Sequence, residues 1–503
     1  MAAEIELKFE LAPRAHAAFR RLPALAGTRP RTTQLKATYF DTPDFALRRR
    51  EMALRLRRVG RRWIQTLKAG RSGAGGLHAR EEWEFERPGP TLDLDVLAGT
   101  PLDAPGDLGG RLAEVFTVDM RRTTWNVEVS PGNLVEVALD SGEVRRGERT
   151  EPVSEVEIES VAGDPLAVFE LAERLVEPVG MRPSAITKAQ RGYRLALAEL
   201  PAPERARPAA LDFSMSTGAA ARAMARAALE QLQANEPGVM AAEDPEFLHQ
   251  FRVALRRLRS ALKVFRAVLG NAEADIEGEL RWISAFTGPA RDWDVLVTST
   301  LPALVEAHGD ARTARLLAGR AAARMRAAHR QLGEALESPR YSRLMLALAR
   351  WLAEPVPGPA ADEEPLARFA QRVVRKRRKR LLADAVRLSA LTPAERHELR
   401  LDAKRLRYAL EGLAPLFRRR ALAAHLEALS EIQDDLGRAN DAAVAQRLLD
   451  ELSPPAAFAQ FARGWFSGQA QTGAAGLERH ARSLAATKRL RVRERPQAGR
   501  GPA

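Results

Sequence analysis

The sequence predicts an α+β amino-terminal domain, built on a mostly antiparallel sheet or closed barrel, followed by an all-α domain of two tandem repeats. Three observations carry that reading. Short segments of alternating polar and apolar residues recur through residues 1–200, an Ala/Leu/Arg-rich pattern fills the remainder, and one basic helical motif occurs twice. A Pro-rich stretch at residues 199–208 separates the halves.

The strands follow from period-2 alternation. Residues 4–11 (Glu-Ile-Glu-Leu-Lys-Phe-Glu-Leu) alternate charged and apolar side chains, the pattern of a half-buried strand. Similar segments lie at Leu54–Arg58, Trp63–Lys68, Arg80–Glu86, Trp125–Val129, Leu134–Asp140 and Val153–Val161, punctuated by Gly, Pro and Asp clusters such as residues 70–76 and 130–133. Helices are predicted to open at Pro13 and at Asp164-Pro165, where Asp can cap and Pro can take the first helical position. The expected domains are 1–200, a linker at 201–211, and a helical region at 212–490. A second Pro-rich break from Glu354 to Pro365 divides that region into repeats of about 212–352 and 366–490, and a basic tail follows at 491–503.

Composition excludes several classes. A chain of 503 residues without cysteine has no disulfides, zinc–thiolate sites, iron–sulfur clusters or cysteine nucleophiles. No apolar run approaches the ~20 residues of a membrane span, and the first residues lack the apolar core of a secretory signal. The expectation is a cytoplasmic protein with no membrane partner. Residues 1–200 carry 30 Lys and Arg against 30 Asp and Glu; residues 201–503 carry 49 against 35, so the whole +14 excess lies in the second half. That asymmetry points to two modules and to an anionic partner for the second. Arg and Ala abound throughout, however, so position has to decide.

Position does so through an internal repeat. His249-x-x-Arg252-x-x-x-Arg256-Arg257-x-Arg259 matches His397-x-x-Arg400-x-x-x-Lys404-Arg405-x-Arg407, and Phe251, Leu255, Leu258, Leu262 and Phe265 match Leu399, Ala403, Leu406, Leu410 and Leu413. Some forty residues after each His, Gly288-Pro-Ala-Arg291-Asp292 answers Gly437-Arg-Ala-Asn440-Asp441. Offsets of 0, 3, 7 and 10 place His and three cations on one helix stripe, which Lys263 and Arg266 prolong in the first repeat. Spacing of about 5–6 Å along such a row suits successive phosphates, which Arg can hold bidentately. The plainer alternative is a solvated face, or cations paired with Asp292, Asp294 and Asp441. Residues 372–380, a separate basic block, are open to three readings: an extension of the phosphate-binding surface, a nuclear signal, or solvated charge. Aromatics make up 6% of the chain and are not interleaved with the rows. Base stacking is therefore poorly served, and a phosphate chain without bases fits better than nucleic acid.

In the first half, alternation places Glu4, Glu6, Lys8 and Glu10 on one strand face, Arg55 with Arg57, Arg80 with Glu82, Glu84 and Glu86, Glu136 with Asp140, and Glu155 with Glu157 and Glu159. An antiparallel sheet with its polar face in water reads this way. So does a barrel whose charged faces line a channel, where carboxylates suit Mg²⁺ or Mn²⁺ and cations suit a triphosphate.

Residues 4–8 (Glu-Ile-Glu-Leu-Lys) resemble the E-x-E-x-K signature of the CYTH, or triphosphate tunnel metalloenzyme, superfamily. The match continues in order through Tyr39-Phe-Asp-Thr-Pro43, Leu54-Arg55-Leu-Arg57, Thr66-Leu-Lys68, Gly76-Leu-His-Ala-Arg80, Leu139-Asp-Ser-Gly-Glu143, Glu155-x-Glu157-x-Glu159 and Lys188-Ala-Gln-Arg191-Gly-Tyr193, covering about residues 1–197. The helical half resembles the CHAD domain through Arg291-Asp292-Trp-Asp294-Val and Gln433-x-x-Leu436-Gly437-x-x-Asn440-Asp441. The pairing in this order resembles bacterial inorganic triphosphatases of the CYTH–CHAD type.

The resemblance implies an eight-stranded antiparallel tunnel. Within it, Glu4, Glu6, Glu155, Glu157 and Glu159 would hold one or two Mg²⁺ or Mn²⁺ ions. Lys8, Arg55, Arg57, Lys68, Arg80, Arg122, Lys188 and Arg191 would clamp phosphates, with Glu82 and Glu84 as further acidic lining. Glu4, Glu6 and Lys8 would serve catalysis, the in-line attack of water on the terminal phosphorus of inorganic triphosphate. The resemblance also associates the helical half with long-chain inorganic polyphosphate. The residues expected to hold it are His249, Arg252, Arg256, Arg257, Arg259, Lys263, His397, Arg400, Lys404, Arg405 and Arg407. A cytoplasmic location at polyphosphate granules would follow. Two rivals stay open: a binding or sensing module with little turnover, and a CYTH enzyme acting on thiamine triphosphate or a nucleoside triphosphate, including adenylate cyclase-like chemistry.

Overall fold

The computed structural model describes residues 4–70, 73–102, 109–269, 273–355, 364–385, 391–488 and 490–493. The chain divides into two compact units, one of residues 1–202 with 336–354 and one of residues 203–335 with 355–503.

The first unit begins with β1 (Glu4–Glu10), the short α1 (His16–Phe19), β2 (Arg31–Asp41), the short α2 (Ala46–Arg49), β3 (Met52–Val59), β4 (Arg62–Ala69) and β5 (Leu77–Arg87). It continues through β6 (Ala113–Ser130), β7 (Asn133–Arg146), β8 (Arg149–Ala162), α3 (Ala167–Val179), β9 (Arg182–Pro183) and α4 (Lys188–Leu197). Neighbours run β5-β4-β3-β2-β6-β7-β8-β1, and β1 pairs back to β5, so eight antiparallel strands close a barrel; two-residue β9 is added on β1. Closure pairs the two terminal strands of the eight over Glu4–Leu7 and Leu77–Arg80.

Alternation decides what faces where. Leu7, Phe9, Val137, Leu139, Val156 and Ile158 point outward into a core completed by Val168, Leu171, Ala172 and Leu175 of α3. Leu54 and Leu67 point outward into another, under Leu47 of α2. Each such residue stabilises the fold by on the order of 1.5–3 kcal/mol when fully buried. The predicted helix at Pro13 is only a 3₁₀ turn leading into α1, because Pro23 holds Leu22 extended and ends it. The second predicted helix starts at Ala167, with Asp164 Oδ1 accepting from the Leu166 N–H at 2.9 Å.

α4 was not predicted as an element. Its capping box is complete: Thr187 accepts from the Gln190 N–H, and the Gln190 side chain accepts from the Thr187 N–H. Gly192 lets α4 approach the ring of Phe116, which a Cβ would meet at 2.1 Å. The next residue, Tyr193, packs edge-on against Phe116, which stacks on Tyr39. Its hydroxyl donates to buried Asp41 at 2.9 Å, and Asp41 also accepts the backbone N–H groups of Thr42, Leu47 and Arg48.

The second unit contains α5 (Thr217–Ala241), α6 (Pro245–Leu269), α7 (Glu273–Val295), a π-helical turn (Leu296–Thr300), α8 (Leu301–His308) and α9 (Ala311–Glu337). After α10 (Pro339–Ala353) come α11 (Leu366–Ala385), α12 (Pro393–Gly412), α13 (Arg419–Glu451) and α14 (Ala456–Ala486). The two motif helices are α6 and α12, and their matched apolar residues Phe265, Leu399, Ala403, Leu406 and Leu410 share one core with α5, α11 and α13. α10 corrects the sequence reading, which placed residues 339–352 in the first helical repeat. It belongs to the barrel unit because its apolar residues include Leu346 and Ala349, which enter the core beneath α3. Of the predicted tail, residues 494–503 lie outside the described residues, whereas Val492 forms a β-bridge with Phe417. Among the described residues no helix is long and apolar enough to cross a membrane.

Candidate functional site

The barrel encloses a cavity of about 440 Å³ whose lining carries charges of both signs. One wall is built by β1, β7 and β8, where register sets Lys8 opposite Glu157, Glu6 opposite Glu159, and Asp140 opposite Glu155. Carboxylate oxygens of Asp140, Glu155 and Glu157 lie within 4.8 Å of one another. Asp140 and Glu155 are 0% and 1% exposed, so uncompensated charge here would be very costly. Three cations compensate it. Lys188 Nζ, at the start of α4, stands 2.7 Å from both Asp140 and Glu157 and also contacts Glu155. Lys8 Nζ lies 3.1 Å from Glu157 and 3.5 Å from Glu155. Arg122 grips Asp140 bidentately at 2.8 and 2.6 Å and contacts Glu157.

These pairings shift protonation as electrostatics demands. Burial opposes the Lys188 ammonium, but Asp140, Glu155 and Glu157 outweigh it and hold its pKa well above the ordinary value. Lys8 is raised for the same reason, against burial, by Glu155 and Glu157. Burial alone would raise Glu157, yet Lys188, Lys8 and Arg122 hold it well below the usual carboxylate range. Glu6 differs: burial, and then Glu157, push its carboxyl up to about 7.

The opposite wall comes from β3, β4 and β5. Arg55 and Arg57 share the inward face of β3, Lys68 projects from β4, and Glu82 and Glu84 project from β5. Lys68 Nζ lies 2.5 Å and Arg55 Nη2 3.4 Å from Glu82, while Arg57 Nη2 and Thr66 Oγ1 both lie 3.1 Å from Glu84 Oε1. Neighbouring Arg55, and then burial, lower the Arg57 guanidinium to about 10. The Nε–H groups of Arg55 and Arg57 are buried and have no acceptor among the described residues. Leu35 and Ala37 of β2 with Val118 and Met120 of β6 give the cavity an apolar patch.

The structure thus gathers Glu6, Lys8, Arg55, Arg57, Lys68, Glu82, Arg122, Glu157, Glu159 and Lys188 around one space, with Glu155 buried beside Lys8 and Lys188. It does not bring Arg191 there: that guanidinium is held by Glu151 at 2.6 Å and Glu10 at 2.8 Å and is absent from the cavity lining. The side chains of Glu4 and Arg80 lie outside the described residues, although their backbones pair across β1 and β5. The sequence reading placed Asp140 on the face of Glu136 without assigning it a ligand role; that alternation was the available signal. His78, Tyr39, Glu136 and Thr187 also line the cavity and were not assigned to the site.

The residues present fit a divalent cation. The donors are hard carboxylate oxygens, and Glu6 Oε1 is buried without a hydrogen-bond partner among the described residues, the Lys8 ammonium standing 3.9 Å away. Asp140, Glu155, Glu157 and Glu6 are the candidate ligands.

In the helical unit, α6 and α12 pack together and bring parts of their rows face to face. Lys404 is lowered to about 7 by burial, then by Arg400 and Arg256, with Asp441 opposing and Arg252 adding. His249 is lowered by burial, with Arg291, Arg256 and Arg252 contributing. Carboxylates reach this cluster only loosely, Asp292 at 3.7 Å from Arg252 and Asp441 at 3.6 Å from Arg400. The buried Nε–H groups of Arg256 and Arg400 lack acceptors among the described residues.

Other row members are tied locally. Arg257 donates to Gln231 and the Arg207 carbonyl, Arg405 to Asp402, Arg407 to Glu411, and Lys263 lies 3.4 Å from Glu277. Arg259 stands near Glu277 and Arg281, and the His397 side chain lies outside the described residues. Asp294 pairs with His329 rather than with the rows. In the 372–380 block, Arg377 donates to the Arg405 carbonyl, Arg378 to the carbonyls of Leu484 and Ala485 at the end of α14, and Arg380 pairs with Asp402. Arg377, Arg378 and Arg380 are thus tied to neighbouring elements, while Arg375, Lys376 and Lys379 are exposed.

The first unit is thus a closed antiparallel barrel that pairs buried carboxylates with inward cations, and the second carries a cluster of cations across two packed helices. Residues 2–193 match the CYTH domain and residues 223–450 the CHAD domain, so the chain carries a CYTH domain followed by a CHAD domain. The chain is 33% identical over 161 residues to the inorganic triphosphatase of Haemophilus influenzae, a match covering 31% of this chain and 45%, less than half, of that protein. The crystal structure of the CHAD domain from the plant Ricinus communis is similar at 37% identity and a TM-score of 0.52, covering 58% of this chain and 99% of that one. PptA from Streptomyces chartreusis aligns at 20% identity and a TM-score of 0.41, covering 53% and 99%.

Proposed function

We propose that the barrel hydrolyses inorganic triphosphate to diphosphate and phosphate, using Mg²⁺ or Mn²⁺, and that the helical unit binds inorganic polyphosphate. The observation that carries the first part is one barrel cavity in which the carboxylate cluster of Asp140, Glu155 and Glu157 stands across from the cations Arg55, Arg57 and Lys68. Arg55, Arg57 and Lys68 would take phosphate oxygens in exchange for Glu82 and Glu84, and the unused Nε–H groups of the two arginines point to the same exchange. Lys8, Lys188 and Arg122 would neutralise charge on the reacting phosphoryl group and on the departing diphosphate. A bound divalent ion supplies Lewis-acid polarisation of the phosphoryl oxygens. Water oxygen would bond to the terminal phosphorus in line as the bridging P–O bond breaks, with a wall carboxylate receiving the water's proton. Phosphate release from tripolyphosphate tests this: equal release by wild type and Glu6→Ala overturns it.

For the helices, the support is the under-compensated group of Arg252, Arg256, Arg400 and Lys404 together with the match to a CHAD domain. Retention of long-chain polyphosphate with steep salt dependence is expected; preference for nucleic acid of equal charge overturns it. The apolar patch of Leu35, Ala37, Val118 and Met120 favours a second reading of the cavity, in which the triphosphate carries an organic group such as thiamine or a nucleoside. A substrate panel with product analysis decides between them.

A further inference from the structure

Residues 336–354 leave the helical unit, add one helix to the barrel unit and return. α10 is amphipathic: Ser342, Met345, Leu346, Ala349, Trp351 and Leu352 are among its buried residues, and Arg340, Arg343 and Ala347 form an exposed stripe. It runs antiparallel to α3, since Arg343 lies 2.6 Å from Glu177 while Arg350 lies 3.5 Å from Glu173. Two of its contacts reach toward the site. Ser342, 1% exposed, donates its hydroxyl at 2.9 Å to the carbonyl of Met181, immediately before β9. Ala349 seats against Gly75, where a Cβ would lie 2.5 Å from the Ala349 Cβ and 3.0 Å from the Met345 carbonyl.

Both contacts bear on the backbone of Lys8. The Gly76 carbonyl accepts the Lys8 N–H at 2.8 Å, and the Lys8 carbonyl accepts the Ser184 N–H at 2.8 Å. Gly76 has φ +83°, and a Cβ there would come within 2.9 Å of the Lys8 carbonyl and 3.0 Å of Pro183. Lys8 is thus clasped between the Gly75–Gly76 corner and the segment that follows Met181. α10 presses on the first through Ala349 and holds the second through Ser342.

We propose that α10 is a positioning strut, carried within the helical half of the sequence, that fixes this clasp and so sets where the Lys8 ammonium stands among Glu6, Glu155 and Glu157. Its effect on turnover rests on the triphosphatase reading; the clasp itself does not. Ala349 and Ser342 touch no substrate and act only through the backbone of Lys8. A shift of Lys8 by a fraction of an ångström would disturb three ion pairs at once.

The test uses the full chain with Ala349→Leu, which crowds Gly75, and Ser342→Ala, which removes one hydrogen bond and leaves the packing intact. Amide hydrogen exchange is read at Lys8 and Ser184 and, for reference, in the β3–β4 hairpin. The expectation is exchange faster by about tenfold at Lys8 and Ser184 with the hairpin unchanged. With tripolyphosphate, kcat should fall about tenfold in Ala349→Leu with KM held within about twofold, and Ala349→Ser should restore it. Unchanged exchange at Lys8 and Ser184 in both variants overturns the proposal, as does equal acceleration throughout the barrel. If Ala349→Leu does not fold, Ser342→Ala decides by the same exchange criterion. If the wild type releases no phosphate, the triphosphatase reading fails while exchange still decides the strut.

Discussion

The barrel and the helix pair hold their cations in opposite ways. In the barrel, Lys8, Lys188 and Arg122 each sit within about 3 Å of a carboxylate, and both ammonium groups are more basic than usual. Across α6 and α12, Arg252 and Arg400 find acids only at 3.7 and 3.6 Å, and Lys404 is less basic than usual, at about 7. The barrel cations are therefore already paired, and on the proposed function a phosphate chain would have to displace internal carboxylates. The cations of the helix pair are only partly compensated, and on the proposed function a polyanion would reduce their repulsion. The first arrangement favours selectivity; the second favours affinity without much regard for ligand length.

The contrast can be broken most decisively at Glu6. Glu6→Ala should lower phosphate release from tripolyphosphate by about 100-fold or more while leaving retention on polyphosphate unchanged. Loss of both functions together would show that the two units are not separable sites. The reciprocal change, Arg256→Ala with Arg400→Ala, should weaken polyphosphate binding by about tenfold or more and flatten its salt dependence, with turnover in the barrel kept within about twofold. Binding titrations at several salt concentrations check it.

The contrast is sharpened by pH. With Lys404 at about 7 in the folded protein against an ordinary 10.5, the folded state binds fewer protons than the unfolded one across that interval. Stability of the ligand-free helical unit should therefore rise with pH between about 7 and 10.5 and gain nothing from this group below 7. A bound polyanion favours the ammonium, so binding should take up a proton near neutrality and weaken severalfold as pH rises from about 6 to about 8.5. Calorimetry in buffers of different ionisation heat measures that proton, and Lys404→Arg should abolish its uptake. The smallest effect expected is at Tyr193. Asp41 keeps its three backbone donors when the phenol is lost, so Tyr193→Phe should cost the barrel about 1 kcal/mol in thermal unfolding and leave polyphosphate binding untouched.

β1 and β8 were legible because one face is apolar beneath α3 and the other is charged toward the cavity. β2 was not assigned, because there the pattern reverses: Leu35, Ala37 and Tyr39 point into the cavity while Lys36 is exposed. A rule that charged faces line the channel misreads that sector. The ligand role of Asp140 depends on β7 lying beside β8 with Asp140 opposite Glu155, a pairing that no local pattern encodes. Arg257 and Arg405 follow the row residues in sequence, yet one step round a helix is about 100°, enough to turn them onto neighbouring elements. α10 shows the largest gap. Its apolar residues announce a buried helix, but nothing in residues 339–353 says which unit will bury it.

That placement has a consequence for biosynthesis. The barrel strands and α3 have left the ribosome well before residues 336–354 exist, and the intervening segment contains most of one helical repeat. At roughly 5–20 residues per second, the stretch from Ala202 to Glu354 takes roughly 8–30 s to synthesise. Throughout that interval the apolar seat of Leu346 and Ala349 stands open on a barrel otherwise complete in sequence. Until its own helix is synthesised the nascent barrel lacks the residues that complete this core, so part of the apolar surface beneath α3 is uncovered for that interval.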